Sequence, residues 1–175
     1  VTFFRTAGVS ALASQFLSRE NSEIFLLLGT GNLARFLIRA HASVRSLKKI
    51  LIWGLTKANA QDLVADMQKE LPEIEFVLAE NIQTACDQAD IVVAATGSPD
   101  ILVQGDWIKE GTHTDFLGNH HADKRECDTA LVVKSKVYLD TYVNCFNEAG
   151  EVLLPIEEGV LKKEDIKGEL AELCK

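Results

Sequence analysis

Gly29, Gly31 and Ala34 stand in a Gly-x-Gly-x-x-Ala spacing at the end of the apolar run Ile24-Phe25-Leu26-Leu27-Leu28, and the chemistry that spacing serves is pyrophosphate binding. A strand ending at Gly29 turns tightly. Gly31 lets the backbone approach a phosphate with no Cβ in the way, and Ala34 lets the next helix lie close to the strand. The free N–H groups and positive dipole end of that helix then face the anion, so a dinucleotide is the expected ligand. The alternative is a glycine turn with no ligand. Beyond the glycines, the window Gly54-Leu55-Thr56-Lys57 lacks the acid that usually holds the ribose 2′-hydroxyl of NAD, and no carboxylate follows until Asp62. It admits the 2′-phosphate of NADP, with Thr56 as a hydroxyl donor and Lys57 as a point charge. A solvated lysine at a helix start is the plainer reading of Lys57. The expected cofactor is NADP or NAD, with NADP preferred.

The elements that must position these residues can be read from periodicity. Leu33, Phe36, Leu37, Ala40 and Val44 continue the glycine run with helical spacing, and residues 49–53 (KILIW) form a second strand, giving the unit of about 30 residues that the fingerprint requires. Upstream, residues 9–19 place Val9, Leu12, Ala13, Phe16 and Leu17 on a helical stripe. Downstream, residues 58–71 predict an amphipathic helix ended near Pro72, residues 75–78 a third strand, and Asn81 the cap of a helix through Asp87. Residues 90–96 (DIVVAAT) read as a buried parallel strand closed by the turn Gly97-Ser98-Pro99-Asp100. Residues 111–118 read as a fifth strand, residues 130–133 with 136–140 as a sixth strand region, and residues 142–149 as a helix. This alternation predicts an α/β fold with a doubly wound parallel sheet, a Rossmann-type NAD(P)-binding domain. Gly8, Gly54 and Gly168 receive no backbone role from the sequence.

Composition narrows the function. A formal charge of −8 and a pI near 5.0 argue against nucleic acid or an anionic membrane surface as partner. No apolar run approaches the roughly 18 residues of a membrane span, and no signal peptide is visible. Cys86, Cys127, Cys145 and Cys174 contain no Cys-x-x-Cys pair, so reduced structural thiols in a cytoplasmic setting are expected. His113, His120, His121 and Cys127 fit no standard zinc spacing, so a metal is not expected. The chain opens on Val1-Thr2-Phe3-Phe4 without a start methionine and stops inside a helical pattern at residues 168–175. The expectation is therefore one NAD(P)-binding domain over residues 1–175, excised from a two-domain protein. Its ends, about residues 1–20 and 160–175, would lie near the join.

Three further strings, Arg5-Thr6-Ala7-Gly8-Val9-Ser10-Ala11-Leu12-Ala13, Ile52-Trp53-Gly54-Leu55-Thr56-Lys57-Ala58-Asn59-Ala60, and Gly111-Thr112-His113 leading to Lys124-Arg125-Glu126-Cys127-Asp128, resemble the ornithine cyclodeaminase and mu-crystallin family over nearly the whole chain. The resemblance implies a two-domain, usually dimeric protein whose other domain supplies much of the substrate pocket and the dimer contact. It implies hydride transfer between nicotinamide and the α-carbon of an amino or imino acid. By the same carry-over Arg5 holds the substrate carboxylate, with a structural ion pair as its alternative, and Thr6 beside it touches the cofactor. Gly29, Thr30, Gly31, Asn32 and Leu33 would lie at the pyrophosphate, Thr56 and Lys57 at the adenosine ribose, and Ala95, Thr96 and Gly97 along the cofactor. Leu117 and Gly118 would approach the nicotinamide. His120 falls where a cyclodeaminase carries an aspartate. Cyclodeamination needs a placed base for several proton transfers, whereas imine reduction needs one proton at nitrogen, which His120 or a water can give near neutral pH. The expected activity is reduction of a cyclic imino acid such as pyrroline-2-carboxylate. Ornithine cyclodeamination and non-enzymatic ligand binding of the mu-crystallin kind are the alternatives. The chain alone should bind cofactor and turn over little.

Overall fold

Residues 24–28, 50–52 and 91–94 carry no polar side chain, and in the computed structural model, which describes residues 1–175, they form the centre of a sheet covered on both faces. The elements run α1 (Thr2–Leu17), β1 (Ile24–Leu28), α2 (Ala34–Val44), β2 (Lys49–Trp53), α3 (Lys57–Glu70), β3 (Glu75–Leu78), α4 (Ile82–Gln88), β4 (Ile91–Ala94) and β5 (His113–Phe116). There follow α5 (Thr129–Lys134), β6 (Tyr138–Leu139), α6 (Tyr142–Glu148), α7 (Gly150–Glu157), β7 (Gly168–Glu169) and α8 (Leu170–Leu173). The five strands β1 to β5 are all parallel in the order β3-β2-β1-β4-β5, and β6 pairs with β7 in a separate two-stranded ladder. Alternation along each strand divides the core in two. Phe25, Leu27, Ile50, Ile52, Ile91 and Val93 face α2 and α3, whereas Leu26, Leu28, Leu51, Val92 and Ala94 face α4, α5 and α7. No helix is long and apolar enough to cross a membrane.

Two expectations are corrected. Residues 130–133 are not strand but lie in the helix α5, which the Asp128 carboxylate caps by accepting from Leu131 N–H at 2.9 Å; only the second part of that region, Tyr138–Leu139, is extended. The first helix begins seven residues earlier than the stripe at residues 9–19 suggests and buries a different face. Ala7, Ser10, Ala11 and Ser14 are buried, whereas Phe16 is exposed and Val9, Leu12, Ala13 and Leu17 are only half-buried. Small residues let α1 lie close on α2, and each buried serine within α1 is satisfied: Ser10 Oγ donates to Asp115 on β5 at 2.5 Å, and Ser14 Oγ donates to Ser18 Oγ at 3.4 Å. Arg45, just past α2, seals the end of α1 by donating to the carbonyls of Ser14, Gln15 and Ser18 at 3.2, 2.8 and 2.9 Å. Helix α7 begins at Gly150 and contains Pro155, so no periodicity announces it. All four cysteines are free, and burial pushes the Cys86 thiol up to about 12.

Two buried imidazoles make stability depend on pH. His41 is wholly buried with its ring 4.7 Å from that of Phe25 and its Nδ1 on the Leu37 carbonyl at 2.9 Å; its Nε2 and that of His113 are buried without a partner. Burial pulls both imidazoles down from 6.5 to about 4, and the nearby His41 adds to the effect on His113. Between these values the unfolded chain binds protons that the native chain refuses. The contribution is therefore present above pH 6.5 and is lost as pH falls towards 4, by roughly 3 kcal/mol per imidazole at the acid end. Asp115, which burial pushes up to about 6, works in the opposite sense, so the comparison must be differential. His41→Met should flatten the fall of the urea midpoint between pH 6.5 and 4.5 relative to wild type. Parallel curves for the two proteins would refute the assignment.

Candidate active site

The carboxyl ends of β1 and β4 lie side by side at the centre of the sheet, and the chain leaves them towards opposite faces, which opens a crevice at this switch point. Gly29 lines it with φ +117°, and a Cβ there would stand 2.5 Å from the Ala95 carbonyl oxygen. The turn after β1 therefore rests directly on the end of β4. Gly29 N–H is tied to the Trp53 carbonyl at 2.9 Å, but no protein acceptor takes the N–H of Thr30, Gly31, Asn32 or Leu33. α2 then begins at Ala34, which is buried, without a side-chain cap. Four unpaired donors and a positive helix end thus occupy one turn, and space lies open above Gly31. These residues fit the pyrophosphate of a dinucleotide.

At the end of β2, Gly54 lies against Thr30, whose Cγ2 would be 2.6 Å from a Cβ at Gly54. Leu55 is 92% exposed, and Thr56 precedes α3 with its hydroxyl unbonded. Lys57 opens α3 and pairs with Glu80 at 2.5 Å, both side chains exposed; the lysine holds the Glu80 carboxyl below the usual carboxylate range. Counting along the chain finds no carboxylate before Asp62, but Glu80, from the loop after β3, reaches the same corner. Sequence spacing gives no signal for it.

The other end of the crevice is built from the loops after β4 and β5. Ala95, Thr96 and Gly97 follow β4, and Leu117 and Gly118 follow β5, with Leu117 N–H on the Ala94 carbonyl at 2.9 Å. Asn119 Nδ2 donates to the Ser98 carbonyl at 3.3 Å. Behind both loops Glu126 is fully buried, and its carboxylate accepts from Thr96 N–H at 2.8 Å, Thr96 Oγ at 2.5 Å and Gly118 N–H at 2.8 Å. Burial pushes its carboxyl up, and these donors pull it back. The only sequence signal for Glu126 is its place in the Lys124-Arg125-Glu126-Cys127-Asp128 run.

Gly29, Thr30, Gly31, Ala95, Thr96, Gly97, Leu117 and Gly118 are thus gathered around one crevice. Arg5 and His120 are exposed, and neither side chain is hydrogen-bonded or ion-paired to a protein group. Arg5 therefore has none of the structural ion pairing weighed as its alternative. Thr6 Oγ donates back to the Thr2 carbonyl at 3.1 Å. His113 and His120 lie at opposite ends of β5, and no group of three or more metal-ligating side chains forms.

Comparison with known proteins gives consistent results. The model of the ornithine cyclodeaminase/mu-crystallin family matches residues 1–175. The chain is 43% identical over 175 residues to the Delta(1)-pyrroline-2-carboxylate reductase of Colwellia psychrerythraea, covering 100% of this chain and 55% of that protein. It is 29% identical over 154 residues to the ketimine reductase mu-crystallin of Rattus norvegicus, covering 88% and 48%. A structure of the Thermococcus litoralis Delta(1)-pyrroline-2-carboxylate reductase with NADH and L-proline superposes with a TM-score of 0.94 at 36% identity, covering 98% of this chain and 53% of that one. The chain spans about half the length of the curated relatives it matches.

Proposed function

The chain belongs to the ornithine cyclodeaminase/mu-crystallin family, and from that premise we propose that it is the nucleotide-binding half of an NAD(P)H-dependent ketimine reductase acting on a cyclic imino acid such as pyrroline-2-carboxylate. The observation that carries the reading is the cradle of unpaired N–H groups at Thr30 to Leu33 over the β1/β4 switch point, in a chain similar along its whole length to pyrroline-2-carboxylate reductases. The reduced nicotinamide, when bound, supplies the hydride. Arg5 grips the imino-acid carboxylate through two parallel N–H bonds and so fixes the imine carbon in register with the ring. Leu117 and Gly118 wall the ring's pocket. His120, or a water it orients, delivers one proton to the imine nitrogen as the carbon receives hydride, giving the cyclic amino acid. The rest of the pocket and a homodimer contact belong to the part of the protein outside this chain, and the protein works in the cytoplasm.

The test is oxidation of NADPH and NADH by the full-length protein with pyrroline-2-carboxylate, run beside ornithine with NAD and an ammonia readout. Imine reduction without ammonia supports the reductase. Ammonia and proline from ornithine would make it a cyclodeaminase in which His120 or another group does the aspartate's work, and binding without turnover would make it a carrier. Replacing His120 by alanine should lower kcat by about 10- to 100-fold and remove one limb of its pH profile. An unchanged rate and profile would take the proton role from His120.

NADPH is the preferred cofactor on this reading, because a 2′-phosphate can take Lys57 from its solvated pair with Glu80 while Thr56 donates a hydroxyl. Lys57→Ala should raise KM for NADPH about fivefold or more and leave NADH within about twofold. Glu80→Gln should shift preference further towards NADPH. Unaltered ratios in both variants would remove Lys57 from cofactor selection.

A further inference from the structure

We propose that Glu126 is a positioning residue that locks the loops after β4 and β5 into one rigid wall for the nicotinamide end of the cofactor, a role that rests on the reading of a nicotinamide cofactor across the ends of β1 and β4. Oε1 accepts from both Thr96 N–H and Thr96 Oγ, and Oε2 accepts from Gly118 N–H. All three neighbours are donors, an arrangement that an ionised carboxylate satisfies in full. No lysine or arginine pairs with it, and the adjacent Arg125 turns instead to Glu158 at 3.1 Å. An ionised carboxylate buried without an ion-pair partner is costly, and two loops at a site are what it organises.

Its backing is rigid. Glu126 N–H donates to Glu151 Oε1 at 2.9 Å, and its carbonyl accepts from Leu102 and Val103 N–H at 2.9 and 3.0 Å. The carboxylate therefore projects from a fixed main chain onto two loops whose last bonds to the sheet are those of Ala95 N–H to the Leu28 carbonyl and Leu117 N–H to the Ala94 carbonyl, both 2.9 Å. The consequence for the site is chemical as well as geometric. The Thr96 hydroxyl gives its only proton to Glu126 and accepts from Ser98 N–H at 3.2 Å, so Thr96 offers the cofactor no hydroxyl donor. Gly118 is pressed so close that a Cβ would lie 2.5 Å from Glu126 Oε1, and His120 follows two residues later on the same loop.

Glu126→Gln in the full-length protein keeps the shape but turns a donor against an N–H. NADH affinity measured by calorimetry should fall about tenfold or more while ADP-ribose, which lacks the nicotinamide, stays within about threefold; kcat for imine reduction should fall more than about tenfold with KM for the imine little changed. Equal losses for the two ligands, or no loss of either, would overturn the proposal. If Glu126→Gln does not fold, Thr96→Val removes only the hydroxyl donor and should show the same selective loss in smaller measure, about threefold, with Thr96→Ser restoring it; parity between the ligands overturns the proposal there too. Calorimetry needs no turnover. A wild-type protein that binds NADH but reduces no imine would sink the proposed activity while the ratio of the two affinities still judges Glu126, and one that binds neither ligand overturns both.

Discussion

Arg5→Lys in the full-length protein should lower kcat/KM for the imino acid by about 10²- to 10³-fold, roughly 3–4 kcal/mol of transition-state binding. The expectation comes from geometry rather than charge. A guanidinium meets a carboxylate with two parallel bonds, whereas an ammonium meets it as a point and leaves the imine free to rotate away from the hydride. The loss should therefore appear in kcat as well as KM. Arg5 is exposed on a helix that is itself firmly held, by Arg45 at one end and by Ser10 on Asp115 in the middle, so the substitution should leave folding alone. Initial rates across imine concentrations, with the thermal midpoint as control, check this. A lysine variant within about threefold of wild type would remove Arg5 from the substrate site.

Two glycine-to-alanine substitutions in one crevice should have opposite signatures. A Cβ at Gly118 would stand 2.0 Å from the Thr96 carbonyl oxygen and 2.5 Å from Glu126 Oε1, and since the nearest obstacle is backbone it can be relieved only by moving a loop. Gly118→Ala should cost about 3 kcal/mol, a fall in Tm of roughly 6–12 °C, and weaken cofactor binding with it. At Gly31 a Cβ meets nothing within 4 Å, so Gly31→Ala should leave Tm where it is. It should still weaken NADH binding about tenfold or more, because the methyl group would stand in the space proposed for the pyrophosphate. Thermal unfolding and NADH titration of both variants separate a glycine needed by the fold from one needed by the ligand. Unchanged NADH affinity in Gly31→Ala would reduce the glycine run to a turn.

Much of this protein was legible in its sequence. The doubly wound sheet, the position of the glycine turn and the capping of α4 by Asn81 all follow from short-range patterns, because a strand buried on both faces must be apolar at every position and a phosphate turn must lack side chains at fixed offsets. The buried face of α1 was not legible. Ser10 and Ser14 read as polar and therefore outward, and only Asp115, 105 residues from Ser10, makes the inward position of Ser10 tolerable. Nor was α5 legible, since residues 130–133 are apolar enough for a strand and only the Asp128 cap and packing on α7 select helix.

The chain's own order thus determined which cofactor chemistry to expect and where the crevice opens. Tertiary structure alone decided that Glu80 answers Lys57 across 23 residues and that Glu126 answers Thr96 across 30. Periodicity reports whether a side chain faces water or core, but the partner of a charge is set by which loops the sheet brings together, and that is settled only when the strands have paired.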